Sequence, residues 1–299
     1  MLHILTHNIL PVFAILALGF GMGRTGKASA DEARTLNRIA FLVLQPALIF
    51  PLIASLDLAE IDLHAVGIYA ICEIIAFLIG YATARFIFKR EHLESYLLAM
   101  AVIFVNSLLY IWPISYLIYG EQAALPITAI VALDASITFA FFIISMELMA
   151  GTNETGGAFK RVTTNPVLIA ILLGALMNAA AIPVPEPVLT AAKFIGAGAA
   201  PLTLFALGVI LSGHPITPQP VTIAIASLKL FAFPLIVWFA ISTLSPANAW
   251  QPLFVLNAAG PSGAMAFALA MLYNVRTDAI APVIIWTSTL SLISLAYLA

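Results

Sequence analysis

The sequence predicts an all-α polytopic membrane protein: ten transmembrane helices as two inverted five-helix repeats, with broken crossover helices in fourth and ninth place. Three observations lead there. The 299 residues are 63% hydrophobic and only 9% charged, whereas a soluble chain is about 45–50% apolar and about 25% charged. The apolar runs last about 20 residues, the length a helix needs to cross a bilayer. The third observation is a match between the two halves of the chain, described below. Too few polar side chains exist to cover a water-facing surface, which excludes a soluble enzyme, a nucleic-acid binder and a disordered chain. An outer-membrane barrel would alternate apolar and polar residues instead. The net charge of −2 gives no argument for acidic or basic macromolecular partners. The one cysteine, Cys72, excludes an intramolecular disulfide and a cysteine metal site.

The first span is expected at 4–23. Ala28-Ser29-Ala30 imitates a signal cleavage site, but Arg24 and Lys27 follow the apolar run and no Lys or Arg precedes it. It therefore reads as a retained helix with its N-terminus outside. The next spans are expected at 33–55, 63–88, 95–118 and 123–149, which complete a first repeat over 1–150. A longer, Gly- and Thr-rich connector, GTNETGGAFKRVTT, marks a cytoplasmic linker over 151–163. The second repeat, 164–299, holds spans at 164–182, 188–212, 219–243, 249–273 and 279–298.

Charge sets the orientation. The odd-numbered connectors and adjoining helix ends carry Arg24, Lys27, Arg34, Arg38, Arg85, Lys89, Arg90, Lys160, Arg161 and Arg276. The even-numbered side carries Lys193, beside the acidic Asp57, Glu60 and Asp62. Cytoplasmic loops collect Lys and Arg, so both termini are expected outside the cytoplasm, in a plasma or inner membrane.

Pro11 and Pro166 are 155 residues apart, as are Pro46 and Pro201. At that offset PVFAILALGFGM (11–22) lies over PVLIAILLGALM (166–177), and PALIF (46–50) over PLTLF (201–205). Five is an odd number of helices, so the second half enters the membrane from the opposite side. Inverted repeats are a common plan for secondary transporters, because exchanging the conformations of the halves alternates access.

The fourth span contains VNSLLYIWPISYLIYG and the ninth LNAAGPSGAMAFALAMLY. Each has an Asn followed by a mid-span Pro: Asn106 with Pro113, Asn257 with Pro261. A mid-helix proline removes a hydrogen bond and clashes with the preceding turn. Freed polar groups within a bilayer must be met by protein or by a cavity. Breaks in both halves therefore point to a site near the midplane. Gly260-Pro261-Ser262-Gly263 is expected to open a half-helix whose free N–H groups favour an anion.

NSLLYIWP, NAAGPSGAMAFALAMLYN, APLTLFALGVILSG (200–213) and the opening PVFAILALGFGMGRTGKASADEARTLNRIAFLVLQPALIF resemble the auxin efflux carrier (AEC) family over essentially the whole chain. The resemblance implies a fold similar to PIN-type carriers and bile acid–sodium symporters. Helices 1, 2, 6 and 7 would form a scaffold, helices 3–5 and 8–10 a transport domain, and helices 4 and 9 would cross beside the substrate. It also implies a homodimer through helices 2 and 7. Many relatives have a Gly close before the helix 4 proline, where this chain has Tyr110, Ile111 and Trp112. That makes a bulkier pocket.

Three ionisable residues fall well inside spans: Glu73, Asp134 and Lys229. Such charges are costly in a bilayer and mark relays or ion pairs. The reading is a proton or cation relay, with Lys229 partnering a carboxylate. Glu147 lies near a span end. No pair of histidines has ligand spacing, so neither a metal nor another cofactor is expected. DDxxD, HExxH and GxSxG are absent from the sequence, which argues against an enzyme. The expected activity is secondary transport of a small organic anion, a carboxylate such as an auxin or malonate, by an elevator movement coupled to a proton or sodium. The alternatives are a sodium-coupled symporter of a bile-acid-like anion and a channel. Asn106, Tyr110, Pro113, Asn257, Pro261 and Ser262 are the expected substrate-binding residues, and Glu73, Asp134 and Lys229 the ion-coupling ones.

Overall fold

A computed structural model describes residues 2–150 and 157–299. Residues 151–156, the first part of the expected linker, lie outside the described residues, and its remainder, Gly157–Thr163, is helical. The chain is helical, and among the described residues extended pairing is limited to one isolated antiparallel bridge, Val105 with Ser262. In chain order the helices are α1 (Leu2–Arg24), α2 (Ala30–Ala54), α3 (Leu63–Ile87), α4 (His92–Ile103), α5 (Ser107–Ala150), α6 (Gly157–Thr163), α7 (Pro166–Ala179), α8 (Glu186–Ser212), α9 (Pro220–Leu244), α10 (Gln251–Ala258), α11 (Met265–Leu272) and α12 (Ile280–Leu298). Seven of them are long and apolar enough to cross a bilayer: α1, α2, α3, α5, α8, α9 and α12. The chain is thus a multi-pass membrane protein. The fourth and ninth expected spans are each divided, and α5 turns at Gly120 (φ 63°).

Local chemistry sets the helix ends. Ser29, read above within an imitated cleavage site, opens α2 as a capping box. Its hydroxyl accepts from the Glu32 N–H while the Glu32 carboxylate accepts from the Ser29 N–H at 2.8 Å. Asp62 caps α3 through the Ala65 N–H at 2.9 Å. Asn178 donates to the carbonyls of Ile53, Ala54 and Leu56 (3.1, 3.1 and 2.6 Å), meeting acceptors that the end of α2 would leave open.

Two compact units emerge. One comprises residues 2–14, 62–127 and 211–299, hence α3, α4, the start of α5 and α9–α12. Its core is α4, buried from Glu94 to Ile103, together with one face of α12. At one end Glu94, 1% exposed, holds Arg90 at 3.2 Å and Arg276 at 2.8 Å. Gln219 accepts from Arg90 and donates to Asp278 at 3.0 Å. These bonds tie the connectors near residues 90, 219 and 277 together. Elsewhere in this unit Asn248 donates to Asp62 at 2.7 Å, joining two acidic-side connectors.

The other unit comprises residues 15–61, 128–150 and 157–210. Helix α2 packs on α7 and α8 there. A Cβ on Gly208 would stand 2.1 Å from the Leu16 carbonyl oxygen, and one on Gly19 at 2.1 Å from that of Phe205. Only glycine lets these two backbones come so close. Glu147, buried near the end of α5, pairs with Arg161 at 2.8 Å.

Candidate functional site

The first unit holds both helix interruptions. Helix α4 ends at Ile103, and Phe104 and Asn106 leave helical geometry (ψ 98° and 58°) before α5 begins at Ser107. Helix α10 ends at Ala258, and α11 begins at Met265. The two interruptions are bonded to one another. The Asn106 N–H donates to the Pro261 carbonyl at 3.1 Å and the Gly263 N–H to the Phe104 carbonyl at 2.7 Å. The Ser262 hydroxyl donates to the Ala101 carbonyl at 2.6 Å, and its N–H to the Thr287 hydroxyl at 3.1 Å. A Cβ on Gly260 would strike the Ile111 side chain at 2.5 Å, so the crossing is close.

Two details differ from the sequence reading. Pro113 does not make the first break: it lies inside α5, and the chain is unwound at 104–106 instead. The widened i→i+5 turn over Ser107–Ile111 absorbs the strain of a proline that can neither donate nor fit a regular turn. Pro261, by contrast, sits in its break. The Ser262 and Gly263 N–H groups also do not stand open, because the crossing itself consumes them. The donors that remain are the N–H groups of the first turn of α5, which have no intrahelical acceptor. Asn106, half-buried beside them, makes no capping bond with its side chain. Ser107 is 3% exposed and its hydroxyl has no hydrogen-bond partner.

Asn257 is fully buried on α10, and its amide donates to the Tyr69 hydroxyl of α3 at 2.8 Å. Its amide oxygen has no hydrogen-bond partner. Tyr69 is itself fixed by Phe254 and Phe233, with ring centroids at 5.3 and 5.7 Å. Tyr110 is fully buried within the unit. Sequence reasoning missed Tyr69 and Thr287. Tyr69 stands four residues before Glu73, on the same helical face, and that spacing was the available signal.

Of the intramembrane charges, Glu73 (3% exposed) and Lys229 (fully buried) belong to this unit, on α3 and α9, which pack on each other. The Lys229 ammonium donates to the Ala258 carbonyl at 2.6 Å and lies 4.8 Å from the Phe233 ring centre. Asp134, 3% exposed, belongs to the other unit. Both Lys229 and Asp134 sit on i→i+5 turns, Leu228–Ala232 and Asp134–Thr138, a distortion common at functional positions.

Long apolar helices, two interrupted helices meeting inside one unit, and a buried lysine bonded at one interruption are features of a membrane transporter. The chain belongs to the Membrane transport protein family, the auxin efflux carrier-like family, whose profile matches residues 4–158 and again 156–299. It is similar to a protein of Rhizobium meliloti (strain 1021) named provisionally as a malonate transporter, 25% identical over 96% of this chain and 92% of that one. It is also similar to an uncharacterized transporter of Methanothermobacter thermautotrophicus (strain Delta H), 28% identical over 97% of this chain and 96% of that one. The protein is accordingly a membrane transporter and not an enzyme.

Proposed function

We propose that the protein is a secondary active transporter of a small organic anion, a carboxylate of the size of malonate, working by an elevator movement. The observation that carries this reading is the bonded crossing of the two interruptions, which leaves Asn106 and the first turn of α5 as donors not otherwise used. The N-terminus of a helix attracts negative charge through its open N–H groups and its dipole. Asn106 and the N–H groups of Ser107–Leu109 bind the carboxylate. Pro261 and Ser262 hold that turn in place from the other break, Pro113 shapes α5 behind it, and Tyr110 forms a wall. Asn257 contributes its amide.

The two compact units support a movement of one body against another, with α3, α4 and α9–α12 in the travelling one. The ten-helix inverted repeat is supported by the 155-residue match of Pro11 with Pro166 and by the side-chain ties. Arg90, Gln219 and Asp278 join odd-numbered connectors, and Asp62 and Asn248 join even-numbered ones. Both termini then lie outside the cytoplasm in a plasma or inner membrane. A reporter fused to the C-terminus and found active in the cytoplasm would reverse that orientation. A homodimer through the second and seventh spans is proposed on the family resemblance, and mass measurement in lipid discs that finds monomers alone removes it.

Glu73 and Asp134 are the proposed titrating groups of the coupling step. Replacing Glu73 by Gln and Asp134 by Asn is expected to abolish gradient-driven uptake while leaving binding measurable. The test of the anion site is binding of malonate against malonamide to the purified protein. Preference for the acid is expected, and equal affinity would overturn the anion reading.

A further inference from the structure

Away from the crossing, a cavity of about 170 Å³ lies between α9 and α12, two spans of the first unit. Its wall includes Ile223, Ala226 and Phe231 of α9 and Trp286 and Leu290 of α12. Ile223, Phe231 and Leu290 are exposed, so the cavity opens sideways, along the lipid-facing surface of the two helices. The Trp286 indole N–H donates to the Ile216 carbonyl at 2.9 Å, which ties the connector before α9 to α12. Two hydroxyl residues of α9, Thr222 and Ser227, share the wall.

Thr222 is fully buried, and its hydroxyl has no hydrogen-bond partner. An unmet hydroxyl in an apolar setting is costly. Other threonines of α9 and α12 escape that cost by donating one turn back. Thr243 donates to Phe239 at 2.8 Å, Thr287 to Val283 at 2.8 Å and Thr289 to Ile285 at 2.9 Å. Thr222 has no such turn behind it, because α9 begins two residues earlier at Pro220. Gln219, at the N-cap, is extended (ψ 159°), and its carbonyl already accepts from the Ile223 N–H at 3.1 Å. The hydroxyl therefore needs an acceptor from outside the chain. The first turn of a spanning helix stands at the edge of the hydrocarbon, the level at which glycerolipids carry their ester carbonyls. Nine residues separate Thr222 from Phe231, about 14 Å along a helix. That is close to half of the hydrocarbon thickness of about 30 Å, the reach of one acyl chain. The cavity is similar in size to an apolar one of about 150 Å³ that admits benzene. It suits a thin apolar body and not a helix, about 10–12 Å across.

We propose that the cavity between α9 and α12 is a binding site for a diacyl glycerophospholipid. One acyl chain lies along Ile223, Ala226 and Phe231, against Trp286 and Leu290, and the Thr222 hydroxyl donates to its ester carbonyl. The lipid braces two helices of the unit that holds the crossing. Recognition rests on the chain and the ester, so the headgroup is not selected. The site is separate from the crossing and does not depend on which substrate is carried.

The test needs no substrate. Thermal unfolding of the purified, delipidated protein is followed in detergent with three added lipids. These are diacyl phosphatidylglycerol, its ether-linked dialkyl analogue with the same chains, and diacyl phosphatidylcholine. A ligand that binds the folded state stabilises it by mass action. The parent is expected to gain several degrees with either diacyl lipid and clearly less with the dialkyl one, which has no ester carbonyl. Thr222→Val keeps the shape and removes the hydroxyl. It is expected to unfold no lower than the parent without lipid, and to respond alike to the diacyl and dialkyl lipids. Should Thr222→Val not fold, Thr222→Ala carries the same comparison. Ala226→Phe fills the cavity and is expected to lose the response to all three lipids. A parent that answers diacyl and dialkyl lipids equally, or a Thr222 variant that keeps the preference for the ester, would overturn the proposal. So would an Ala226→Phe variant stabilised as the parent is. A parent stabilised by phosphatidylglycerol and not by phosphatidylcholine would place recognition in the headgroup and overturn it as well.

Discussion

Replacing Tyr69 by Phe removes one oxygen atom and keeps the ring. The edge contact with Phe254 and the tilted one with Phe233 are retained, and what is lost is the acceptor for the Asn257 amide at 2.8 Å. Both residues are fully buried, so no water replaces that acceptor. An unsatisfied buried donor costs about 1–3 kcal/mol. At about 2–4 °C per kcal/mol for a body of this size, the unfolding midpoint is expected to fall by roughly 2–12 °C. The substitution also releases Asn257 from its fixed position, so malonate binding is expected to weaken. Asn257→Ala alone is expected to weaken binding by about 0.5–3 kcal/mol. The decisive assay is a double-mutant cycle on malonate affinity. If Tyr69 acts by holding Asn257, the two losses overlap and the double variant is less impaired than their sum. Losses that add within about 0.3–0.5 kcal/mol would refute the reasoning, as would an unchanged unfolding midpoint.

Further outcomes follow from the same contacts. Glu94→Gln takes the charge from a buried carboxylate that holds Arg90 and Arg276. The exposed Arg276 contributes little, so destabilisation of about 1–3 kcal/mol is expected, read as a lowered unfolding temperature. Asp62 has its acidity strengthened, mainly by the Ala65 N–H it caps and also by Asn248, so its folded pKa lies below the ordinary 3.8. A depressed carboxylate contributes stability above its unfolded pKa and loses it as pH falls through the folded value. The parent is expected to lose that contribution below about pH 4, and Asp62→Asn to show a flatter pH profile of unfolding over that range. Gly208→Val places a Cβ 2.1 Å from the Leu16 carbonyl. It is expected to abolish accumulation of folded protein, whereas Gly21→Ala, which meets nothing within 4 Å, is expected to be tolerated.

Much of this architecture was written in patterns that composition and spacing expose. Runs of about 20 apolar residues mark spans, and Asn-then-Pro in two of them marked the interrupted helices. Asn106, Asn257, Pro261 and Ser262 do fall at or beside the interruptions. Proline, however, signals strain without locating where it is relieved. Around Pro113 a widened turn absorbs it, and the chain opens at Phe104–Asn106, seven residues before the proline. The occupation of the Ser262 and Gly263 N–H groups was not legible either, since their acceptors, Thr287 and Phe104, are supplied by distant segments. Lys229 stood out as a buried charge, but the acceptor it meets at 2.6 Å is a backbone carbonyl, and every residue has one. Periodicity says which face of α9 is buried, not which carbonyl that face meets.

The central claim is transport of a carboxylate, and uptake of radiolabelled malonate by proteoliposomes holding the purified protein tests it most directly. The account predicts saturable uptake above the level of empty vesicles, with accumulation against the malonate gradient when an ion gradient is imposed. It also predicts loss of accumulation when an ionophore collapses that gradient, competition by other small carboxylates, and none by malonamide. Uptake that does not saturate, that never exceeds equilibrium under any imposed gradient, or that malonamide competes for equally would contradict it.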